Sequence, residues 1–133
     1  WFRETTMNVR RITALAVLAI ATMTVPAMAD GDAKKGEKVF KKCKACHVVD
    51  KEKNRVGPHL MGIIGRDVGS VDGFKYSKAM TEWGDGKTWT EEQLAEFLAG
   101  PKKVVKGTKM AFAGLRKEED RDAVIDYMQS AAE

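Results

Sequence analysis

The sequence predicts an all-α domain with long loops, and three observations carry that expectation. Apolar residues recur at helical spacing in three separate segments. No stretch alternates apolar and polar residues as a half-buried strand would. Between the segments run glycine-punctuated stretches without a sustained period. The chain has 133 residues, 44% hydrophobic and 32% charged, which fits one such domain because the commonest domain size is about 100–150 residues.

The start of the chain stands apart. From Met7, a short basic stretch at Arg10 and Arg11 leads into an apolar run from Ile12 to about Val25, then Ala27-Met28-Ala29 ahead of Asp30. That order matches a secretory signal with a small-residue cleavage site, and its apolar run is short against the roughly 20 residues a bilayer span needs. Residues 1–29 are therefore expected to be upstream residues and a cleaved signal peptide, and 30–133 the domain. A retained segment tethering the domain to a membrane is the rival. Trp1 to Thr6 add nothing to the signal pattern, and Asn8 to Thr13 lack the rest of a twin-arginine signal. Loss of this segment lowers the formal net charge from +4, so any electrostatic role depends on where charges sit. Basic residues are not interleaved with stacking aromatics or zinc-finger spacing, which argues against nucleic acid as a partner.

Taken in order, Gly36, Val39, Phe40 and Cys43 follow Asp32, a capping residue, and read as an amphipathic helix from Asp32 to about Lys44. Gly36 lies on its apolar face, where the lack of a side chain would let another helix approach. Val48 to Asp72 is a long loop carrying Gly57-Pro58, Gly62, Gly65 and Gly69; a loop of that length in a small domain usually wraps something. Thr90 with Gln93 forms a capping box for a second helix bearing Leu94, Phe97 and Leu98 and ended by Gly100-Pro101. Lys102 to Gly114 is irregular. Glu118, Glu119 and Asp120 then open a terminal helix, where negative charge suits the helix dipole, with Val124, Tyr127, Met128 and Ala131 as its stripe. These stripes are thin for the loop they must hold, so a large apolar group is expected in the middle.

Cys43-Lys44-Ala45-Cys46-His47 supplies such a group, because Cys-x-x-Cys-His is the attachment pattern of a c-type haem. Two thiols at that spacing can add to two vinyl groups on one edge of the macrocycle, and the adjacent imidazole reaches the iron. A disulfide would close a very short loop and leave His47 unused. A thioredoxin-like pair lacks its strand-helix-strand context, and zinc lacks further ligands, since His59 has no second histidine at finger spacing.

The other axial ligand decides between an electron carrier and an open-site enzyme or gas binder. Of seven methionines, Met7, Met23 and Met28 leave with the signal. Met128 falls on a helix stripe and reads as packing. Met61 follows His47 too closely to cross easily to the opposite haem face. Met80 and Met110 remain, and Met110, in a glycine-flanked loop between helices, is favoured.

Together with Gly57-Pro58, Gly73-Phe74-Lys75-Tyr76, Trp89-Thr90-Glu91, Pro101-Lys102-Lys103 and Gly107 to Gly114, the attachment motif resembles the class I c-type cytochromes, including mitochondrial cytochrome c and its short soluble bacterial relatives. The resemblance covers residues 32 to 131. It implies a small cytochrome c fold, with three main helices, short helical turns and long loops around one covalently bound haem c. It implies thioethers at Cys43 and Cys46, axial ligation by His47 and Met110, a hydrogen bond from His47 to the Pro58 carbonyl, and contacts from Arg66, Tyr76, Trp89 and Thr108 to the haem propionates. Gly36 and Phe40 would meet Val124 and Tyr127 where the first and last helices cross. Phe97 stands where the family often has tyrosine, Met80 where asparagine is common, and Lys106 in place of a frequent proline.

The implied activity is diffusible one-electron transfer without enzymatic chemistry, by a monomer in the periplasm. Lys41, Lys42, Lys44, Lys102, Lys103, Lys106 and Lys109 flank the attachment site and the methionine loop. A lysine-rich haem rim would dock on acidic faces of membrane redox complexes. Such partners include a quinol-oxidising cytochrome complex, a terminal oxidase or a photosynthetic reaction centre.

Overall fold

The computed structural model describes residues 30–133, so the expected signal peptide and its cleavage site lie outside the described residues. The chain forms α1 (Asp30–Phe40), α2 (Lys78–Gly84), α3 (Glu91–Ala99), α4 (Pro101–Val104) and α5 (Glu118–Ser130). Among the described residues there is no strand, only an isolated antiparallel bridge between Asp67 and Thr88. No helix among them is long and apolar enough to cross a membrane.

The main frame is α1 crossing α5, with α3 packed on α5. Gly36 makes the crossing possible: a Cβ there would run into the Ala123 carbonyl and stand 2.7 Å from Tyr127 Cβ. Phe40 packs its ring 5.3 Å from that of Tyr127. Val124, 1% exposed, lies in the core cluster that Phe40 shares. At the surface, Lys35 bridges Glu119 and Asp120 at 3.2 and 3.4 Å. Gln129 donates to Glu91 across 2.8 Å, tying α5 to the first turn of α3.

α3 follows its sequence signals. Thr90 accepts from the Gln93 N–H at 3.1 Å, and Leu94, Phe97 and Leu98 are buried. Three local expectations need correction. α1 begins ahead of Asp32 and its helical ladder stops at Phe40 rather than near Lys44. Beyond Phe40 the chain tightens into turns, with Cys43 and Lys44 N–H both donating to the Phe40 carbonyl. Pro101 ends α3 but also opens α4 in the segment expected to be irregular; its fixed φ suits a first helical position. α2 carries no repeated apolar stripe because it has 7 residues, too few for two turns at 3.6 residues each.

The long loop is stitched at its base. Trp89 N–H donates to the Arg66 carbonyl at 2.9 Å, Gly65 N–H to the Trp89 carbonyl at 2.8 Å, and Val68 N–H to the Lys87 carbonyl at 2.9 Å. The loop is thereby held as a ring around an interior space.

Candidate functional site

That space is an apolar cavity of about 440 Å³, reached by all nine residues expected at the site: Cys43, Cys46, His47, Pro58, Arg66, Tyr76, Trp89, Thr108 and Met110. α3 contributes Leu94, Phe97 and Leu98 to its wall, and α5 contributes Val124 and Met128. The helices thus build the greasy floor, while loops carry the reactive side chains.

The turns after α1 set the attachment motif. Cys46 and His47 N–H both donate to the Cys43 carbonyl, at 3.1 and 3.0 Å, folding the motif into one tight turn. Cys43 and Cys46 are free thiols, which removes the disulfide reading. Burial pushes the Cys43 thiol pKa up, against the pull of Lys42. His47 Nδ1 lies 2.7 Å from the Pro58 carbonyl oxygen; a carbonyl only accepts, so Nδ1 carries the proton and Nε2 keeps its lone pair. Burial lowers the His47 pKa, opposed by the Pro58 bond and assisted by Arg66. The ring is thus kept neutral, as a metal ligand must be.

Gly57 shapes the seat of this ring. A Cβ there would collide with His47 Cε1 and stand 2.7 Å from Nδ1 and 2.8 Å from Nε2. Sequence reading placed Gly57 only in a loop; its role depends on a neighbour ten positions earlier. On the methionine segment, Thr108 Oγ1 accepts from Met110 N–H at 3.3 Å. Met80 also reaches the cavity wall, from α2, whose cap is formed by Ser77 accepting from Met80 N–H at 3.1 Å. Met61 is absent from the wall; its carbonyl accepts from Arg66 Nη1 at 3.2 Å. His59 is also off the wall, with its backbone N–H donating to Asn54 Oδ1 at 3.0 Å. Among the described residues no group of three or more His, Cys, Asp and Glu side chains is placed to hold a metal ion such as zinc.

Phe97 belongs to an aromatic stack, 5.1 Å from Trp89 and 6.3 Å from Trp83. Its place on the wall gives the cavity an apolar surface where a tyrosine would bring a hydroxyl. Arg66 brings a partly buried charge to the wall. Burial lowers its pKa, with Tyr76 opposing, and its Nε is buried without a partner.

These observations fit a covalently held haem. The volume falls within the roughly 300–1,000 Å³ of small-molecule and cofactor sites. Two free thiols and a neutral imidazole with a bare Nε2 match the donor set, and the unpartnered Arg66 Nε suits a carboxylate of the group.

Comparison with known proteins agrees. The cytochrome c family model matches residues 33–132. Cytochrome c2 of Agrobacterium tumefaciens is 48% identical over 101 residues, covering 74% of this chain and 91% of that protein. Cytochrome c type-1 of Ascaris suum is 48% identical over 106 residues, covering 79% of this chain and 93% of its own. The solved structure of cytochrome cH from Methylobacterium extorquens superposes with a TM-score of 0.68 at 44% identity, covering 75% of this chain and 99% of that one.

Proposed function

The chain belongs to the cytochrome c family, a haem-based electron carrier with covalent haem c, and from that premise we propose that it shuttles single electrons between membrane redox complexes in the periplasm, with His47 and Met110 as axial ligands. The carrying observation is that His47, held by Pro58 with Nε2 free, and Met110 both line one apolar cavity. Haem supplies the Fe(III)/Fe(II) couple. In this reading Cys43 and Cys46 form the thioethers, so the cofactor cannot be lost in a dilute compartment. Pro58 and Gly57 fix the imidazole. Met110 would hold the iron through its thioether sulfur as the second protein ligand, which would leave no site for substrate and make the protein a carrier rather than an enzyme. Leu94, Phe97 and Leu98 exclude water from the cavity.

Lys41, Lys42, Lys44, Lys102, Lys103, Lys106 and Lys109 are all exposed, and Lys42 and Lys109 reach the cavity wall itself. This grouping supports docking to acidic faces of partner complexes, with encounter quickened by opposite charge. Periplasmic residence is supported by the apolar run and Ala27-Met28-Ala29.

The test is the optical spectrum of protein matured with haem. The oxidised form should show the weak long-wavelength sulfur-to-iron band, and the reduced form should not bind carbon monoxide. A reduced form that binds carbon monoxide rapidly, without that band in the oxidised state, would overturn the closed-site reading.

A further inference from the structure

We propose that Lys75 is a further cofactor-binding residue, its ammonium pairing with a haem carboxylate at the cavity mouth beside Arg66. This rests on the haem reading above. Haem carries two carboxylate arms, and a carboxylate taken into an apolar cavity must be paired or remain wet. Arg66 brings one cation to the wall, and part of its guanidinium is already committed to the Met61 carbonyl. Tyr76, Trp89 and Thr108 can add neutral hydrogen bonds, and a second cation would offset the charge that these leave.

Lys75 is placed to provide it. Phe74, Lys75, Tyr76 and Ser77 all reach the cavity wall. The turn that carries them is firmly set: Tyr76 Oη accepts from Val71 N–H at 3.1 Å, and the Phe74 ring stands edge-on to Tyr76 at 4.9 Å. Ser77, 8% exposed, then caps α2. The backbone at Lys75 is thus pinned at the lip between two wall residues, while its flexible stem can lie along the apolar edge with the ammonium free to turn inward.

The pairing of other lysines leaves Lys75 available. Lys35 is matched by Glu119 and Asp120, Lys78 by Glu82, and Lys87 by the carbonyl and ring of Trp83. Among the described residues Lys75 has no ion pair or hydrogen bond of this kind. Lys42 and Lys109, the other lysines on the wall, adjoin Cys43 and Met110. Lys75 instead adjoins Tyr76, which lies close enough to Arg66 to act on it, so these two cations share one end of the cavity.

A cation on a haem carboxylate offsets negative charge that favours Fe(III) over Fe(II), so it raises the midpoint potential. The experiment is spectroelectrochemical titration of the haem-loaded protein and its Lys75→Gln, Lys75→Glu and Lys75→Arg variants, across a range of salt. Lys53→Gln is the control, removing the same charge from an exposed position off the cavity wall. Expected are a downward shift in Lys75→Gln clearly larger than in Lys53→Gln, a further drop in Lys75→Glu, recovery in Lys75→Arg, and persistence of the difference at high salt. Equal shifts in Lys75→Gln and Lys53→Gln, or a difference abolished by salt, would overturn the contact. Should Arg66→Gln lower the potential while Lys75→Gln does not, the haem reading stands and this inference alone falls. A wild-type protein without a reversible one-electron couple would instead remove the premise.

Discussion

His47 Nδ1–H donates to the Pro58 carbonyl oxygen across 2.7 Å, while the same ring fills the place a side chain would take on Gly57. One dipeptide therefore fixes both the tautomer and the position of the imidazole. Gly57→Ala is expected to push the ring off its seat at the cost of over-packing, about 1–3 kcal/mol, and to weaken the iron ligand. Pro58→Ala keeps the carbonyl and should cost much less. Thermal unfolding and the long-wavelength absorption band of the two variants check this. A Gly57→Ala protein that matches wild type in both would show that the ring is free to shift.

The cavity also bears on stability when it is left unfilled. At about 24 cal/mol per Å³, leaving 440 Å³ empty forgoes on the order of 10 kcal/mol. A whole domain has roughly 5–15 kcal/mol of stability. Cys43→Ala with Cys46→Ala, which removes both attachment points, is therefore expected to leave the chain largely unfolded. Far-UV circular dichroism of the purified variant measures it; a native helical signal without haem would show that α1, α3 and α5 suffice alone.

How much of this was legible in the sequence follows from which interactions are local. The attachment motif, the Thr90 cap and the stripe of α3 each lie within a few residues, and each is where the sequence placed it. α2 escaped notice because its stability comes from Ser77 and from packing of Met80 and Trp83 against residues distant in sequence. α4 escaped because a proline that ends one helix also suits the start of the next. The attachment motif and the methionine spacing pointed to Cys43, Cys46, His47 and Met110, the resemblance added Pro58, Arg66, Tyr76, Trp89 and Thr108, and all nine line one cavity. What neither spacing nor resemblance signalled was the fit of Gly57 under His47, since a glycine shows its purpose only once its neighbour is in place.

At Gly36, whose close-approach role the sequence did suggest, two effects compete. Gly36→Ala gains about 1 kcal/mol of helix propensity. The new Cβ would meet the Ala123 carbonyl and lie 2.7 Å from Tyr127 Cβ, and backbone of α5 cannot yield cheaply. Over-packing of about 1–3 kcal/mol should win. Chemical denaturation is expected to show net destabilisation; a stabilised variant would mean that α1 and α5 separate with ease.

Met110 and Met61 offer a sharper comparison. Met110 is on the cavity wall and Met61 is not. Met110→Ala is expected to abolish the sulfur-to-iron band and to let carbon monoxide bind the reduced protein, whereas Met61→Ala should keep the band and exclude the gas. Retention of the band in Met110→Ala would move the ligand to Met80, the other methionine that reaches the cavity from outside the α5 core stripe.

The rim lysines give a prediction whose outcome depends on salt. Lys42 and Lys109 are exposed and border the cavity, so reversing both to Glu places negative charge where an acidic partner would approach. At low ionic strength the second-order rate of electron transfer to such a partner should fall by roughly tenfold or more, because steering by charge changes encounter rates by about 10–10³. At 1 M salt, with a screening length near 3 Å, variant and wild type should converge. The double Lys34→Glu, Lys38→Glu variant carries the same charge change on exposed positions of α1 and should lose far less. Equal losses in the two variants would assign the effect to net charge, and the lysines around the cavity would then be ordinary solvated surface.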